Sequence, residues 1–303
     1  MRILVTTPTG HIGSRIVDRL LPSSHDLVLL AREPAKLSDA IRSRATVIQG
    51  SLDDTSTMET ALTGVDAAFL LIPPPAPSIP HWRNWQEALG QSLASSAAQA
   101  SVPRSVFLSS TGSQHDDIAT VSGLGVIEKE LDAALPNVVS IRAGYFMENF
   151  FNSLGTISAQ GEIYGVFAPE APLPVVATHD IGDVAVRWLT DASWTGHHIV
   201  ASHGPDALTH AQLAAILTNV LERDVNYVQI PAAAYRDALL GAGVPPLIAY
   251  GYEELLSGAS RHMDAGDYSA EPHTADSSGP TSFETFARHS LLPAYRLQAT
   301  AAA

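Results

Sequence analysis

Six short apolar runs, each separated from the next by a stretch with helical spacing, decide what the first half of this chain can become. They are RILVT (2–6), DLVLLA (26–31), ATVIQG (45–50), DAAFLLI (66–72), SVFLSS (105–110) and NVVSIRAG (137–144). Between the first two lies HIGSRIVDRLL (11–21), with Ile12, Ile16, Val17, Leu20 and Leu21 on one helical face. Further helical stretches fall near 34–42, 55–62, 83–100 and 123–135. Strands that are apolar throughout are buried on both faces, and strands that alternate with helices run parallel. Their crossovers are right-handed, which places helices on both sides of the sheet. The expected fold class is therefore α/β, a Rossmann-like doubly wound parallel sheet. Its ligand crevice would lie at the carboxyl ends of the strands.

The second half changes character. LPVVA (173–177) with HDIGDVAVRWL (179–189) reads as one more strand–helix unit, and HHIVAS (197–202) as one more strand. Helical patches at 146–159, 209–222, 231–242 and 245–263 surround them, the last started by Pro245 and Pro246. Residues 269–283 are polar and turn-rich, a loop. The expected organisation is a dinucleotide-binding domain over 1–150, with 173–202 returning to it. Residues 151–172 and 203–303 would form a smaller, mainly helical substrate lobe covering the crevice.

Charge and composition narrow the function. A net charge of −14 over 303 residues argues against a broad nucleic-acid or anionic-membrane surface. The absence of cysteine removes disulfides, thiolate nucleophiles and Cys-type zinc sites together. With no 18-residue apolar run, the expectation is a soluble cytoplasmic protein, monomer or homodimer, whose partner is a small-molecule substrate. His197 and His198 are adjacent, so on a strand they face opposite ways, and no H-E-x-x-H spacing exists. With His203 nearby they invite a metal, but none is expected. No G-x-S-x-G elbow surrounds Ser109, Ser110 and Thr111, which argues against a hydrolase.

The loop after the first strand, VTTPTGHIG (5–13), carries the dinucleotide reading. Its spacing is T-x-x-G-x-x-G where G-x-x-G-x-x-G is common. Gly10 lets backbone N–H groups approach a pyrophosphate, Gly13 lets the helix pack on the sheet, and the helix N-terminus faces the anion. Thr7, Thr9, Gly10, His11, Ile12 and Gly13 are the candidate contacts. The alternative is a plain tight turn. A residue before proline is pushed towards extended backbone, so Thr7 is expected there. A positive φ at Thr7 would strain the loop by roughly 1–2 kcal/mol, and Pro8 removes one N–H donor. Arg32 stands 19 residues after Gly13, with Lys36 one turn on. An arginine there accommodates a 2′-phosphate, so NADP is the expected cofactor, NADPH preferred over NADH. Glu33 is the competing feature, able to serve a 2′-hydroxyl instead.

These stretches together resemble the NmrA-like group of atypical short-chain dehydrogenases/reductases. The matching segments are TGHIG (9–13), AREPAKL (31–37), GSLDD (50–54), VDAAFLLIPPP (65–75), SVFLSST (105–111), IEKEL (127–131), IRAGYFMENF (141–150), HDIGDVA (179–185), GPDALT (204–209) and GPTSFETFA (279–287). The triple proline and FMENF look most like the ergot-alkaloid-type reductases and NADPH quinone reductases of the group. The resemblance implies NAD(P) binding and often hydride transfer, and the group also contains redox sensors without turnover. It implies that Lys129 holds the nicotinamide ribose and helps polarise a substrate, with Ser110 a second catalytic candidate. An exposed helix lysine between Glu128 and Glu130 is the plainer reading of Lys129. Pro73 would lie against the cofactor, and Pro73, Pro74 and Pro75 would stiffen the crevice wall. Tyr145, Phe146, Met147, Asn149 and Phe150 would meet the substrate, although part of that run is core. Gly125 stands where the group usually has a tyrosine, Leu124 where many members have a histidine, and Ala143 where a proline usually follows the arginine. The two open readings are an NADPH-dependent reductase of a small, mostly apolar carbonyl, quinone, enone or imine, and a non-catalytic dinucleotide-binding regulator. Asp180, at the start of a helix, reads as a cap or N-terminal charge.

Overall fold

The computed structural model describes residues 1–73, 79, 82–274 and 277–301. The chain divides into two compact units. The first comprises Met1–Asp116, Thr120–Arg142 and Ile181–Val200, the second Asp117–Ala119, Ala143–Asp180 and Ala201–Ala303. The division thus runs at Arg142 rather than at residue 150, and residues 173–180 group with the second unit.

The apolar runs become strands because each can bury both of its faces. In the first unit these are β1 (Arg2–Thr6), β2 (Asp26–Ala31), β3 (Thr46–Gln49), β4 (Ala67–Leu70), β5 (Ser105–Ser110) and β6 (Asn137–Ala143). Helices α1 (His11–Leu20), α2 (Asp39–Arg42), α3 (Thr55–Leu62), α4 (Trp82–Gln99) and α5 (Ala119–Ala134) alternate with them. The stretch at 34–42 does not form one helix. Leu37 is extended (φ −83°, ψ 139°) between a 3-10 turn at Pro34–Lys36 and α2. Strand β1 lies parallel between β2 and β4, with Leu4 opposite Val28 and Ala68. Beneath one face, Leu4, Val28, Leu30, Met58, Leu62, Phe107, Ile127 and Leu131 form one buried cluster.

After β6 the chain makes β7 (Tyr145–Phe146), a 3-10 turn (Met147–Ser153), α6 (Leu154–Gln160), β8 (Glu162–Gly165), β9 (Pro172–Leu173) and β10 (Val175–Val176). The expected strand at 173–177 therefore does not join the main sheet. Pro172 and Pro174 lack the N–H groups a sheet ladder needs, and two short strands result, β9 paired with β12 (Leu208–Thr209) and β10 with β7. Helix α7 (Thr178–Thr190) and β11 (Gly196–Ser202) follow, and β11 closes a seven-stranded sheet of order β11-β6-β5-β4-β1-β2-β3. Arg15 grips Asp183 through two hydrogen bonds of 2.9 and 2.7 Å, which docks α7 on α1. The second unit is completed by β13 (Asn226–Gln229), α8 (His210–Leu221), the paired helices α9 (Ala232–Gly241) and α10 (Pro246–Ala265), α11 (Phe283–Phe286) and α12 (Leu292–Ala301). Its core gathers Met147, Phe150, Leu154, Leu213, Leu217, Phe283 and Leu291.

Candidate functional site

The turn from β1 into α1 is built on contacts between backbones. A Cβ on Gly13 would lie 2.2 Å from the Thr7 carbonyl oxygen, so only glycine allows α1 to come this close. A Cβ on Gly10 would meet only that same oxygen, at 3.5 Å, which leaves its outer side open. The Gly10 N–H donates to the Thr7 carbonyl at 3.1 Å. Helix α1 begins with Gly10 as its N-cap, no side-chain cap and no acid in its first turn. Its leading N–H groups are therefore available to an anion, with the positive end of the helix dipole behind them. This cradle fits a dinucleotide pyrophosphate.

Thr7 departs from the sequence expectation. Its φ is 54°, in the left-handed region, not extended. The preference of a pre-proline residue is local, and the close approach of Gly13 to the Thr7 carbonyl overrides it. Because the same carbonyl closes the turn on Gly10, the strain falls on folding, not on ligand binding. The Thr7 hydroxyl is buried and has no hydrogen-bond partner among the described residues.

At the carboxyl end of β2, Lys36 and Glu33 form an ion pair at 2.7 Å. The Lys36 ammonium, with Arg32 further off, holds the Glu33 carboxyl below its usual range. Arg32 is exposed, and among the described residues its guanidinium makes no hydrogen bond. The acid that competes for a ribose hydroxyl is thus already occupied, while the arginine is accessible. Pro73 is half-buried beyond the end of β4. Pro74 and Pro75 lie outside the described residues.

At the end of β5 the Ser109 hydroxyl is buried without a hydrogen-bond partner among the described residues, and the Ser110 hydroxyl donates to the Thr111 carbonyl at 3.0 Å. The next loop is fixed from α5. Glu128 is buried and accepts hydrogen bonds from the Ser113 hydroxyl (3.0 Å) and from Arg142 Nε (3.0 Å) and Nη2 (2.6 Å). Arg142 Nη1 also donates to Gln114 Oε1 at 3.4 Å. This network was invisible in the sequence, where Glu128 and Arg142 stand in separate segments with no spacing to link them. A Cβ on Gly125 would lie 1.9 Å from the Ser113 carbonyl oxygen, so the helix presses directly on that loop. Position 125 is not an empty slot for a larger side chain. Lys129 follows one turn later and is exposed.

In the second unit, Tyr145 stands on β7, 37% exposed, with its ring edge-on to Phe150 (6.1 Å, 80°). Phe150 packs on Phe283 at 4.7 Å. Met147 and Phe150 are buried in that unit's core, so packing is their structural role, while Phe146 and Asn149 are half-buried. Burial pushes the Tyr145 phenol up from its ordinary value. Asp180 is buried and accepts from the Thr281 N–H and hydroxyl, both at 3.0 Å, a tie between α7 and residues 279–281. Of the histidines, His197 meets the Leu135 carbonyl (2.8 Å), His198 the Thr195 carbonyl (2.8 Å), and His203 stacks on His273 at 5.7 Å. Burial pushes His203 down to about 4.

The sheet order and the strand–loop–helix turn at Gly10 and Gly13 define a Rossmann-type chain. Residues 1–282 match the model of the NmrA-like family, and the chain belongs to that family. A (4-alkanoyl-5-oxo-2,5-dihydrofuran-3-yl)methyl phosphate reductase of Streptomyces griseus is 30% identical over 281 residues, covering 91% of this chain and 93% of its own. An NAD(P)H azoreductase of Xenophilus azovorans is 29% identical over 267 residues, covering 87% and 89%. The NADPH-dependent quinone oxidoreductase of Escherichia coli, solved with NADPH, superposes with a TM-score of 0.76 at 21% identity, over 98% of this chain and 99% of that one. No described helix is long and apolar enough to cross a membrane.

Proposed function

We propose that this chain is an NADPH-dependent reductase of a small, mostly apolar, conjugated acceptor. The observation that carries the reading is the uncapped N-terminus of α1, drawn against Thr7 by Gly13, with the accessible Arg32 at the end of β2. The activities of the relatives support it. They name a phosphorylated unsaturated lactone, azo compounds and quinones, all electron-poor π systems.

When bound, the reduced nicotinamide supplies a hydride. The protein's part is to hold, orient and polarise. The loop at Thr7, Thr9, Gly10, His11, Ile12 and Gly13 would hold the pyrophosphate. Arg32 would grip the 2′-phosphate, with Lys36 adding charge from its pair with Glu33. Pro73 would lie along the cofactor. Lys129 would hold the nicotinamide ribose, and Ser110 would hydrogen-bond an acceptor oxygen. On this reading Gly125 stands where the group usually has a tyrosine proton donor, and a Cβ there would lie 1.9 Å from the Ser113 carbonyl oxygen. A conjugated acceptor suits this arrangement: once it has taken hydride, its displaced charge is delocalised, and water can protonate it.

The test is calorimetric titration of the purified protein with NADPH and NADH. It is followed by NADPH oxidation with a panel of quinones, enones, azo dyes and imines. Tight NADPH binding with turnover of at least one class supports the reading. Binding without turnover of any class would overturn it in favour of a dinucleotide-binding regulator.

A further inference from the structure

Glu128 and Arg142 bring opposite charges into the interior of the first unit, their side chains 7% and 8% exposed. Such a pair is a poor source of stability. The cost of taking both charges out of water cancels most of their attraction, and apolar side chains of similar volume hold a core as well or better. What an ion pair has, and apolar packing lacks, is direction. Arg142 presents Nε and Nη2 to the two carboxylate oxygens at 3.0 and 2.6 Å, a fork that fixes the plane of the guanidinium.

Three segments meet on this fork. Glu128 belongs to α5, Arg142 to the end of β6, and the loop after β5 joins through two residues. The Ser113 hydroxyl donates to Glu128 Oε1 at 3.0 Å, and Arg142 Nη1 donates to Gln114 Oε1 at 3.4 Å. The loop is tied in turn to the end of its strand. The Ser113 N–H donates to the Ser110 carbonyl at 3.1 Å, and the His115 N–H to the Gly112 carbonyl at 3.1 Å. Gly112, between them, takes a φ of 89°, which a residue with a Cβ rarely adopts. Gly125, one turn before Glu128 on the same side of α5, lies against the Ser113 carbonyl. Helix and loop thus touch twice, once through backbone and once through the pair. Ile127 and Leu131 anchor α5 in the core, but apolar contacts are non-directional and tolerate a small roll of the helix about its axis. Two polar contacts on one side of the helix do not.

Lys129 is the next residue on α5, and Ser110 is the residue from which the turn starts. We infer that Glu128 and Arg142 are positioning residues for that couple: they set the roll of α5, and with it Lys129, against the turn that carries Ser110. This rests on the reductase reading and adds to it two buried side chains that act only through Lys129 and Ser110. An error of about 1 Å in the placement of such groups costs on the order of a hundredfold in rate. A pair that contributes little to stability can therefore contribute much to turnover.

The experiment compares the wild type with two variants. In Glu128→Leu/Arg142→Met, apolar side chains replace the pair; Ser113→Ala leaves the pair intact and cuts its link to the loop. NADPH oxidation with menadione, or with the fastest acceptor of the panel if menadione is slow, gives kcat and KM. Unfolding in denaturant gives stability, and hydrogen exchange read by mass spectrometry follows residues 110–115. The double variant should unfold at nearly the wild-type denaturant concentration, yet its kcat should fall about tenfold to a hundredfold with KM changed by less than about threefold. Ser113→Ala should lose about three- to tenfold in kcat, the size of one neutral hydrogen bond. In both, exchange at 110–115 should quicken while that of β1 and β2 stays as in the wild type. A double variant with wild-type kcat, Ser113→Ala with wild-type kcat, or unchanged exchange at 110–115 would each overturn the inference. Should the double variant fail to fold, Ser113→Ala decides alone. If the wild type turns over no acceptor, the reductase reading fails separately, and exchange at 110–115 still decides whether the pair holds the loop.

Discussion

Thr7→Gly should make this protein more stable. Thr7 holds φ at 54°, and a residue with a Cβ pays about 1–2 kcal/mol for the left-handed conformation. Its buried hydroxyl lacks a hydrogen-bond partner among the described residues, which costs about 1–3 kcal/mol. Two effects oppose the substitution. Glycine loses more freedom on folding, about 0.5–1 kcal/mol, and the lost methyl gives up about 0.8 kcal/mol of burial. The balance favours glycine by about 1–2 kcal/mol, a rise in melting temperature of about 2–3 °C for a chain of this size. Thr7→Ala separates the causes, because it removes the hydroxyl but keeps the strain. Scanning calorimetry on the three proteins should rank Gly above Ala by about 1 kcal/mol. An alanine variant as stable as the glycine variant would refute the strain argument. NADPH affinity should stay within about threefold of wild type, since the strain belongs to the turn.

Four further outcomes follow from the geometry. Arg32→Ala should weaken NADPH on the order of tenfold to a hundredfold in calorimetry and leave NADH nearly untouched; equal losses for both would return the 2′-position to Glu33. Lys129→Ala should lower turnover roughly tenfold to a thousandfold with little change in melting temperature, and an unchanged rate would leave Lys129 as surface charge. Glu128→Ala should cost about 3–5 kcal/mol in denaturant unfolding by stranding the buried Arg142 charge, whereas Glu128→Leu with Arg142→Met should recover most of it; no recovery would disprove the stranded-charge account. His262 lies between Asp117 (2.7 Å) and Asp267 (2.9 Å), and the hydrogen bond to Asp117 raises its pKa above 6.5. Its stabilising contribution is therefore complete below pH 6.5 and lost as pH rises through the raised value, while Asp117, held near 2, stays ionised. The melting-temperature gap between wild type and His262→Gln should be widest below that range and close above it, and a gap constant from about pH 5 to about pH 9 would contradict the sign.

The parallel sheet was legible because its strands are buried on both faces and so read as unbroken apolar runs: Ile3, Leu4 and Val5 in β1, Val28, Leu29 and Leu30 in β2. The loop at Gly10 and Gly13 was legible because close backbone approach demands glycine. The φ of Thr7 was not, since the rule for a residue before proline knows nothing of a helix packing on the carbonyl. The run at 173–177 misled because apolar content outweighed Pro172 and Pro174 in the reading, while the ladder responds to missing N–H groups. Glu128 and Arg142 meet only in three dimensions. Their partners are set by topology, on which a single sequence is silent.

The seventh strand has a consequence for how the chain is made. In the sheet, β6 is covered on its outer side by β11, yet β11 is synthesised only after the chain has passed through 143–180 and α7. At about 5–20 residues per second, the outer edge of β6 waits roughly 3–10 s on the ribosome for its partner. Throughout that interval an apolar strand offers open N–H and C=O groups to any neighbouring nascent chain. A release at residue 142 would make the exposure permanent, so the unit should not survive as an N-terminal fragment, and slow translation between 143 and 196 should send more of the product into inclusion bodies.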